Sequence, residues 1–487
     1  MWIELSQTAR EKFLNLLSFP EKERLLSFLR KFSQRQDLFI VGGAVRDFLL
    51  GKKITDLDLA VKEEPEKLQL FLSQVLSYTP VPLSPEFGIY RLSKGKYTID
   101  LTLYRGNTLE EDLKDRDFTI NAMAIPLFTI FEGPLKIFDP VNGFEDLKKG
   151  IIRALGEKNL MDDPLRILRG YRFFSQGYGE IERETRHLFK KHKKRLSFCA
   201  QERIQLELKH IFLSPKSFLT LTLMNEDGLF EVLFPEFNPC KGMPQPSFHH
   251  LDVFSHCLES LKWTEIILSE PKKFLGLEEV PLDFEEEDFI ISVKLASLFH
   301  DLGKGYTFSE TEERITFYTH EKVGADFWEK RAKALRFKNE IIERVSSLIK
   351  NHMRPCHLLK EWEEGKITLR AKRNLIKAHP NLYELWVVAL ADSLASKGPD
   401  KEPDYEEKLN AFFKELLKLK EELERIEKRE KLITGKDLIA LGFKPGPIFK
   451  EILEDVEIKT VEGFIQSKEE ALNYVLQKYG SLQRESP

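Results

Sequence analysis

Apolar residues recur at helical spacing among charges through the first 35 positions (Phe13, Leu16, Leu17, Leu25, Leu26, Leu29) and predict an N-terminal helical segment. The texture then changes. Leu38-Phe39-Ile40-Val41 has the length of a buried strand, stops at Gly42-Gly43, and gives way to a helix over Ala44 to Leu50. Ile54 to Val61 alternates with period two, and Tyr97 to Leu103 does so again. From about residue 148 the pattern is helical, punctuated by Pro and Gly at 214–246, 271–281, 355 and 398–403. The stretch 404–431 carries Leu409, Phe412, Phe413, Leu416 and Leu417 at helical spacing; its heptad is not sustained, so it predicts a packed amphipathic helix, not a coiled coil. The expected fold class is a small α+β head, a mixed sheet with helices, followed by an all-α body.

With 487 residues the chain is long enough for two to four domains. Lys+Arg 75 against Asp+Glu 79 gives net −4, so a polyanionic partner has to be met by local basic patches. Hydrophobic residues at 42% exclude a mainly disordered chain. The cysteines Cys199, Cys240, Cys257 and Cys356 are scattered, with no CxxC, which points to a reducing, cytoplasmic compartment and away from a disulfide scaffold or zinc ribbon. MWIELSQTAREKF lacks the cationic start and apolar core of a signal peptide, and no apolar run approaches the ~18 residues of a membrane span.

Gly42-Gly43 between a strand and a helix lets backbone amides approach a phosphate at a helix N-terminus; a simple tight turn is the alternative. Asp56 and Asp58, two apart in a strand, project from one face and repel each other unless a cation lies between them. Hard oxygen ligands point to Mg²⁺ on a triphosphate. Asp100, mid-strand in Thr98-Ile99-Asp100-Leu101-Thr102, is a possible third carboxylate.

GGAVRDFLLGKKITDLDLAV, RDFTINAMA (116–124), FDPVNGFEDLKKGIIRALG (138–156) and DDPLRILRGYRF (162–173) resemble, in the same order, the motifs of the class II tRNA nucleotidyltransferase and bacterial poly(A) polymerase family. The resemblance implies a DNA-polymerase-β-like nucleotidyltransferase head, a helical neck, body and tail, CTP and ATP as substrates, Mg²⁺ as cofactor and the tRNA 3′ end as acceptor. The domains expected on this basis are an N-terminal helical extension at 1–35, the head at 36–148, a neck that recognises the base at 149–215, a body with a metal site at 216–397 and a tRNA-binding tail at 398–487. Asp56 and Asp58 become the catalytic Mg²⁺ ligands of a two-metal transfer. Gly42, Gly43, Arg46, Arg116, Asp117, Asn121, Asp163, Arg166 and Arg169 become nucleotide-binding candidates, Asp117 and Asn121 chiefly organising the junction.

Asp163 and Arg166, one helical turn apart, set an acceptor-only carboxylate beside a donor-only guanidinium. Cytosine and adenine each offer an exocyclic amine beside a ring-nitrogen acceptor, whereas uracil and guanine offer a carbonyl beside an N–H. One such pair therefore accepts C and A and refuses U and G; the family assigns this role to the matching positions, with Asp162 where a Glu usually orients the arginine. A helix cap with a surface salt bridge is the other reading. Glu207 and Lys209 match the family's next helical motif and are expected to brace the neck, and Lys190 to Arg195 form either an RNA-backbone contact or a solvated basic face.

Seven of the 11 histidines fall between 249 and 357. His256, His300-Asp301, His320, His352 and Asp392 follow the order H…HD…H…H…D and resemble the HD phosphohydrolase superfamily, with His320 and His352 as further ligand candidates beside the core set. Imidazole with carboxylate suits Ni²⁺, Mn²⁺, Fe²⁺ or Zn²⁺ better than Mg²⁺, which stays the alternative at this site, and Lys304 can steady a phosphate. In the HD-bearing members of the family this implies 2′,3′-cyclic phosphodiesterase and 2′-nucleotidase or phosphatase activity. Leu432 to Leu438 and Gly442 to Pro447 read as a helix–turn–helix in which Lys436 or Lys444 can hold RNA phosphate; the alternative is a structural hairpin.

Two departures stand out. The family's Arg-Arg-Asp-Phe is Asp115-Arg116-Asp117-Phe118 here, and Asp100 to Asp112 is short where the family often has a longer loop that helps switch from C to A addition. Both leave open a CC-adding or an A-adding specialist beside a full CCA-adding enzyme. An HD phosphohydrolase with a nucleotide-sensing head is the rival from another class. A poly(A) polymerase fits less well, since that branch has a basic tail and no HD set, and a non-enzymatic RNA chaperone less still. No membrane partner is expected.

Overall fold

The computed structural model describes residues 1–84, 89–312, 314–427, 432–461 and 463–483. Two compact units divide the chain, Met1–Pro235 and Glu236–Pro487.

The first unit is organised by an eight-stranded sheet with strands β1 (Trp2–Glu4), β2 (Leu38–Val41), β3 (Asp56–Val61), β4 (Thr79–Ser84), β5 (Ile89–Lys94), β6 (Tyr97–Leu103), β7 (Ala124–Pro126) and β8 (Lys136–Phe138), in the order β1-β8-β7-β2-β3-β6-β5-β4. The sheet is mixed: β3 and β6 run parallel and the other neighbours antiparallel. Alternation along β3 buries Leu57 and Leu59 and leaves Asp56 and Asp58 on the opposite face, as period two requires. The register sets Asp58 directly beside Asp100 of β6.

The helical expectation for residues 1–35 needs one correction. Helices form over Ala9–Leu16 and Lys22–Phe32, but Trp2–Glu4 is a strand paired with Phe138 to Lys136. Trp2 packs on Phe138 with ring centroids 4.9 Å apart, a long-range contact to which local periodicity is blind. Beyond the sheet, helices Leu165–Ser175 and Gln201–Leu213 pack together, joined by the ion pair of Arg172 Nε with the largely buried Glu207 carboxylate at 2.6 Å.

In the second unit, helices Val253–Ser269, Glu287–Phe299, His320–Ala334, Asn339–Asn351 and Leu382–Ala395 pack on one another. The helix expected over 404–431 is present as Tyr405–Glu427, and residues 428–431 lie outside the described set. Tail helices Gly435–Ala440, Pro447–Val461 and Lys468–Tyr479 bury a core of their own around Leu438, Ile452, Ala471 and Val475, and the first is capped reciprocally by Thr434 and Asp437. The region after residue 148 is not wholly helical: Ile151–Ile152 pairs with Glu180–Ile181, and Ser309–Glu310 with Ile315–Thr316. No helix among the described residues is long and apolar enough to cross a membrane.

Candidate active sites

In the first unit, β2 ends at Val41, Gly42 turns the chain and helix Gly43–Leu49 begins. Gly42 has φ +68°, a conformation that disfavours other residues. A Cβ there would stand 2.7 Å from Asp58 Oδ2 and 3.0 Å from Arg116 Nη1, so the missing side chain is what lets turn, carboxylate and guanidinium converge. The Gly43 N–H donates to the Asp58 carboxylate. Burial, then the neighbouring Asp100 and Asp56 charges, push Asp58 up to about 6 against the opposing pull of Arg116. Such crowding of carboxylates fits a divalent cation.

Asp56 accepts from the Thr98 hydroxyl and stays at the exposed edge. Asp100 is beside Asp58, and Arg91 on β5 donates to both its oxygens, at 2.8 and 2.6 Å. Arg116 donates through Nε and Nη2 to the buried Asp112. Asp115, where the family carries arginine, pairs with Arg105 at 3.3 Å and so ties down the short segment after β6.

Four of the nucleotide-binding candidates form a chain among themselves instead of a free surface. Arg46 is 7% exposed; it donates to Asn121 Oδ1, to Asp47 and to the Tyr178 hydroxyl, and lies 4.0 Å over the Tyr178 ring. Asn121 in turn donates to the buried Asp117, which pairs with Arg169 at 2.9 Å. Arg46 thus carries the packing of helix Gly43–Leu49.

The two base-reading candidates are not paired with each other. Arg166 spends three N–H groups on the backbone carbonyls of Asp115, Arg116 and Asn159. Asp163 accepts from the Leu165 N–H through Oδ1 and from Arg203 through Oδ2, at 2.8 Å. In the basic run, Lys190 pairs with Asp227, Lys191 with Glu157 and Lys193 with Glu231, so these lysines are engaged within the chain.

In the second unit all six HD candidates meet. His300 and His352 cap the C-terminal ends of helices Glu287–Phe299 and Asn339–Asn351, His320 opens helix His320–Ala334, and His256 and Asp392 come from the first turn and the last turn of two further helices. His300, His320 and His352 each turn Nδ1 to a backbone carbonyl (Ser297, Phe317, Ile349) at 2.7–2.8 Å. That arrangement leaves the Nε2 lone pairs facing inward. His256 Nε2 lies 2.9 Å from Asp392 Oδ1 and 3.2 Å from His300 Nε2. Asp301 faces both ways, Oδ2 3.3 Å from His300 and Oδ1 3.3 and 3.5 Å from His320 and His352. Asp301 Oδ1 is buried without a hydrogen-bond partner among the described residues, and two groups of three ligand atoms lie close enough to share an ion: His256, His300, Asp392 and His300, Asp301, His352. Burial pushes the His300 imidazole down, but Asp301 and Asp392 outweigh it and raise it to about 10, so a proton is held where a metal's charge would serve as well. The donor set fits a borderline transition metal.

A cavity of ≈840 Å³ opens on this cluster, lined by Phe248, His249, Lys304, Arg314, Phe317 and Tyr405 among others. Lys304 Nζ is 2.6 Å from Asp301 Oδ2. His249 was not among the residues singled out from the sequence, although its ring stands edge-on to His256 at 4.6 Å; its membership in the histidine-rich stretch was the available signal. Arg203 and Arg91 were missed for another reason, since nothing local marks a partner 40 or 9 residues away.

The chain matches the family models of the poly A polymerase head domain over 38–153, the "Probable RNA and SrmB- binding site of polymerase A" over 180–241, the HD domain over 253–397 and tRNA nucleotidyltransferase domain 2 over 404–476. It is 32% identical to the CC-adding tRNA nucleotidyltransferase of Thermus thermophilus, covering 91% of this chain and 94% of that protein. It is 30% identical to the A-adding tRNA nucleotidyltransferase of Deinococcus radiodurans, covering 90% and 94%. Among solved structures, the Thermotoga maritima CCA-adding enzyme complexed with tRNA superposes with a TM-score of 0.64 at 24% identity, covering 99% of both chains. The head and HD matches imply divalent-metal dependence.

Proposed function

Because the chain belongs to the tRNA nucleotidyltransferase and poly(A) polymerase family, in its HD-bearing form, and is thereby a nucleotidyltransferase, we propose that it extends the 3′ end of tRNA with C, A or both, from CTP and ATP and without a nucleic-acid template. The observation that carries this reading is the convergence of Gly42, Asp58 and Arg116, two carboxylates on one strand face beside a glycine turn that opens a helix. The RNA 3′-hydroxyl attacks the α-phosphate and gives its proton to solvent as the new O–P bond forms; the α–β phosphoanhydride bond breaks and pyrophosphate departs. Asp56 and Asp58 would hold Mg²⁺, which would lower the pKa of the attacking hydroxyl and neutralise the triphosphate. The amides at the start of helix Gly43–Leu49 receive phosphate oxygens, and Arg116 sets positive charge beside them. Asp163 accepts from the exocyclic amine of C or A, while the N–H groups left to Arg166 donate to the ring nitrogen. Asp117, Asn121 and Arg169 organise the junction behind them, and the tail, with Lys436 and Lys444, meets the tRNA backbone.

The similarity to both a CC-adding and an A-adding relative keeps partial addition alongside full CCA addition. The segment tied by Arg105 and Asp115 is short, which favours a specialist. The test uses tRNA transcripts ending at the discriminator base, after one C, or after two, with labelled CTP or ATP and products resolved to one nucleotide. Three additions to the bare transcript mark a full CCA-adding enzyme; a stop after two C residues, or action with ATP on the CC-ended RNA alone, marks a specialist. No incorporation on any transcript overturns the reading.

A second activity is favoured by the HD cluster and its cavity. His256, His300, Asp301 and Asp392, with His320 and His352, would hold an ion of Ni²⁺, Mn²⁺, Fe²⁺ or Zn²⁺ type or Mg²⁺, which would lower the pKa of a water for phosphoester hydrolysis. Lys304 steadies the phosphate, and the substrate class is the 2′-phosphate or 2′,3′-cyclic phosphate of damaged RNA ends. Release of phosphate from 2′-nucleotides with added metal, and its loss in Asp301→Asn, tests this.

A further inference from the structure

Asp163 and Arg166 are each anchored from behind, with bonding capacity left over. A guanidinium carries five N–H donors and Arg166 commits three to backbone carbonyls, so its plane is fixed and two donors remain. A carboxylate offers about four lone-pair directions, of which Asp163 commits one to the Leu165 N–H and one to Arg203 Nη2. Every one of these anchors is backbone except Arg203. It lies in the first turn of helix Gln201–Leu213, 40 residues from Asp163, with its side chain 52% exposed. The Leu165 contact is long at 3.3 Å, so the 2.8 Å ion pair is the shorter of the two restraints on the carboxylate plane.

From this geometry we infer that Arg203 is a positioning residue for nucleotide selection: it holds the Asp163 carboxylate at the angle at which an exocyclic amine is accepted and a carbonyl in the same place is repelled. The inference rests on the proposed base-reading role of Asp163 and deepens it. A carboxylate held still forces the O4 of uracil or the O6 of guanine against its charge. A carboxylate free to rotate swings away from that oxygen and tolerates it. Fixed polar groups reject a mismatched analogue more strongly than they attract the right one, and pre-organisation acts on binding before it acts on chemistry.

The test is steady-state incorporation by the full chain on a tRNA transcript, with CTP, ATP and UTP, for wild type, Arg203→Ala and Arg203→Lys. Arg203→Ala is expected to raise KM for the accepted nucleotides about three- to tenfold, leave kcat within about twofold, and reduce the CTP-over-UTP preference by a comparable factor. Arg203→Lys restores part of the preference, because an ammonium supplies the charge without the planar fork. An Arg203→Ala enzyme with unchanged KM and unchanged preference overturns the inference. So does one in which kcat and Tm fall together while KM and preference stay constant, the signature of a structural brace. A wild-type enzyme that incorporates UTP as readily as CTP overturns the base-reading role of Asp163 itself, and the inference with it.

Discussion

Burial and the neighbouring Asp100 and Asp56 charges lift Asp58 to about 6, against Arg116 and the Gly43 amide. A cation in that place removes the penalty, so the residue is built for a bound metal. Asp58→Asn is expected to lower nucleotide incorporation by at least ~10²–10³-fold with an unchanged circular-dichroism spectrum. His379 shows the same physics without any chemistry attached. It is 5% exposed, burial alone pushes its imidazole from 6.5 down to about 4, and Nε2 has no hydrogen-bond partner among the described residues. Because its folded value lies below the unfolded one, the stability tied to neutral His379 is complete above pH 6.5 and is lost as the pH falls through 4. Between pH 7.5 and 4.5 the wild type should lose roughly 2–3 kcal/mol more than His379→Gln in urea denaturation.

Secondary-structure elements place these groups, and two contacts between elements show how narrow the tolerance is. A Cβ on Gly303 would stand 1.9 Å from the His320 carbonyl oxygen, so the turn after His300-Asp301 touches the backbone of the helix that His320 opens. Gly303→Ala should push that helix away at a cost of about 1–3 kcal/mol. Metal affinity of the HD cluster, read by titration with Mn²⁺ or Ni²⁺, should weaken roughly tenfold or more. Nucleotide incorporation should be unaffected. In the first unit, Glu207 reaches across from Gln201–Leu213 to the Arg172 guanidinium, as the neck-bracing expectation required. Glu207→Ala strands a part-buried guanidinium and should cost about 3 kcal/mol in denaturation. The KM for CTP should stay within about twofold, because the bond braces helices instead of touching substrate.

For the whole molecule, the two compact units carry one cluster each: the carboxylates of Met1–Pro235 and the histidines of Glu236–Pro487. Each cluster is assembled inside its own unit. His300→Ala is therefore expected to abolish phosphate release from 2′-nucleotides and leave incorporation within about twofold of wild type, and Asp58→Asn to do the converse. Parallel assays of both activities on both variants check this. Loss of both activities in either variant would show that the two sites depend on one another.

The chemistry-bearing residues were legible along the chain because their signals are local. A glycine turn between strand and helix and acids two apart in a strand are written in spacing, and periodicity predicted the α+β head and the helical body; the set His256, His300, Asp301, His320, His352 and Asp392 was marked by the likeness of its order to the HD superfamily. Tertiary structure decided what each of those groups touches. Asp100 accepts from Arg91 on the adjacent strand, Arg46 donates to Asn121, Asp47 and Tyr178, Asp163 is held by Arg203, and Trp2–Glu4 leaves the helical pattern to pair with β8. Local periodicity reports which face a side chain takes. A hydrogen bond or ion pair between distant segments exists only once the chain has closed on itself and set register, and that closure is what separates a carboxylate awaiting a ligand from one already satisfied.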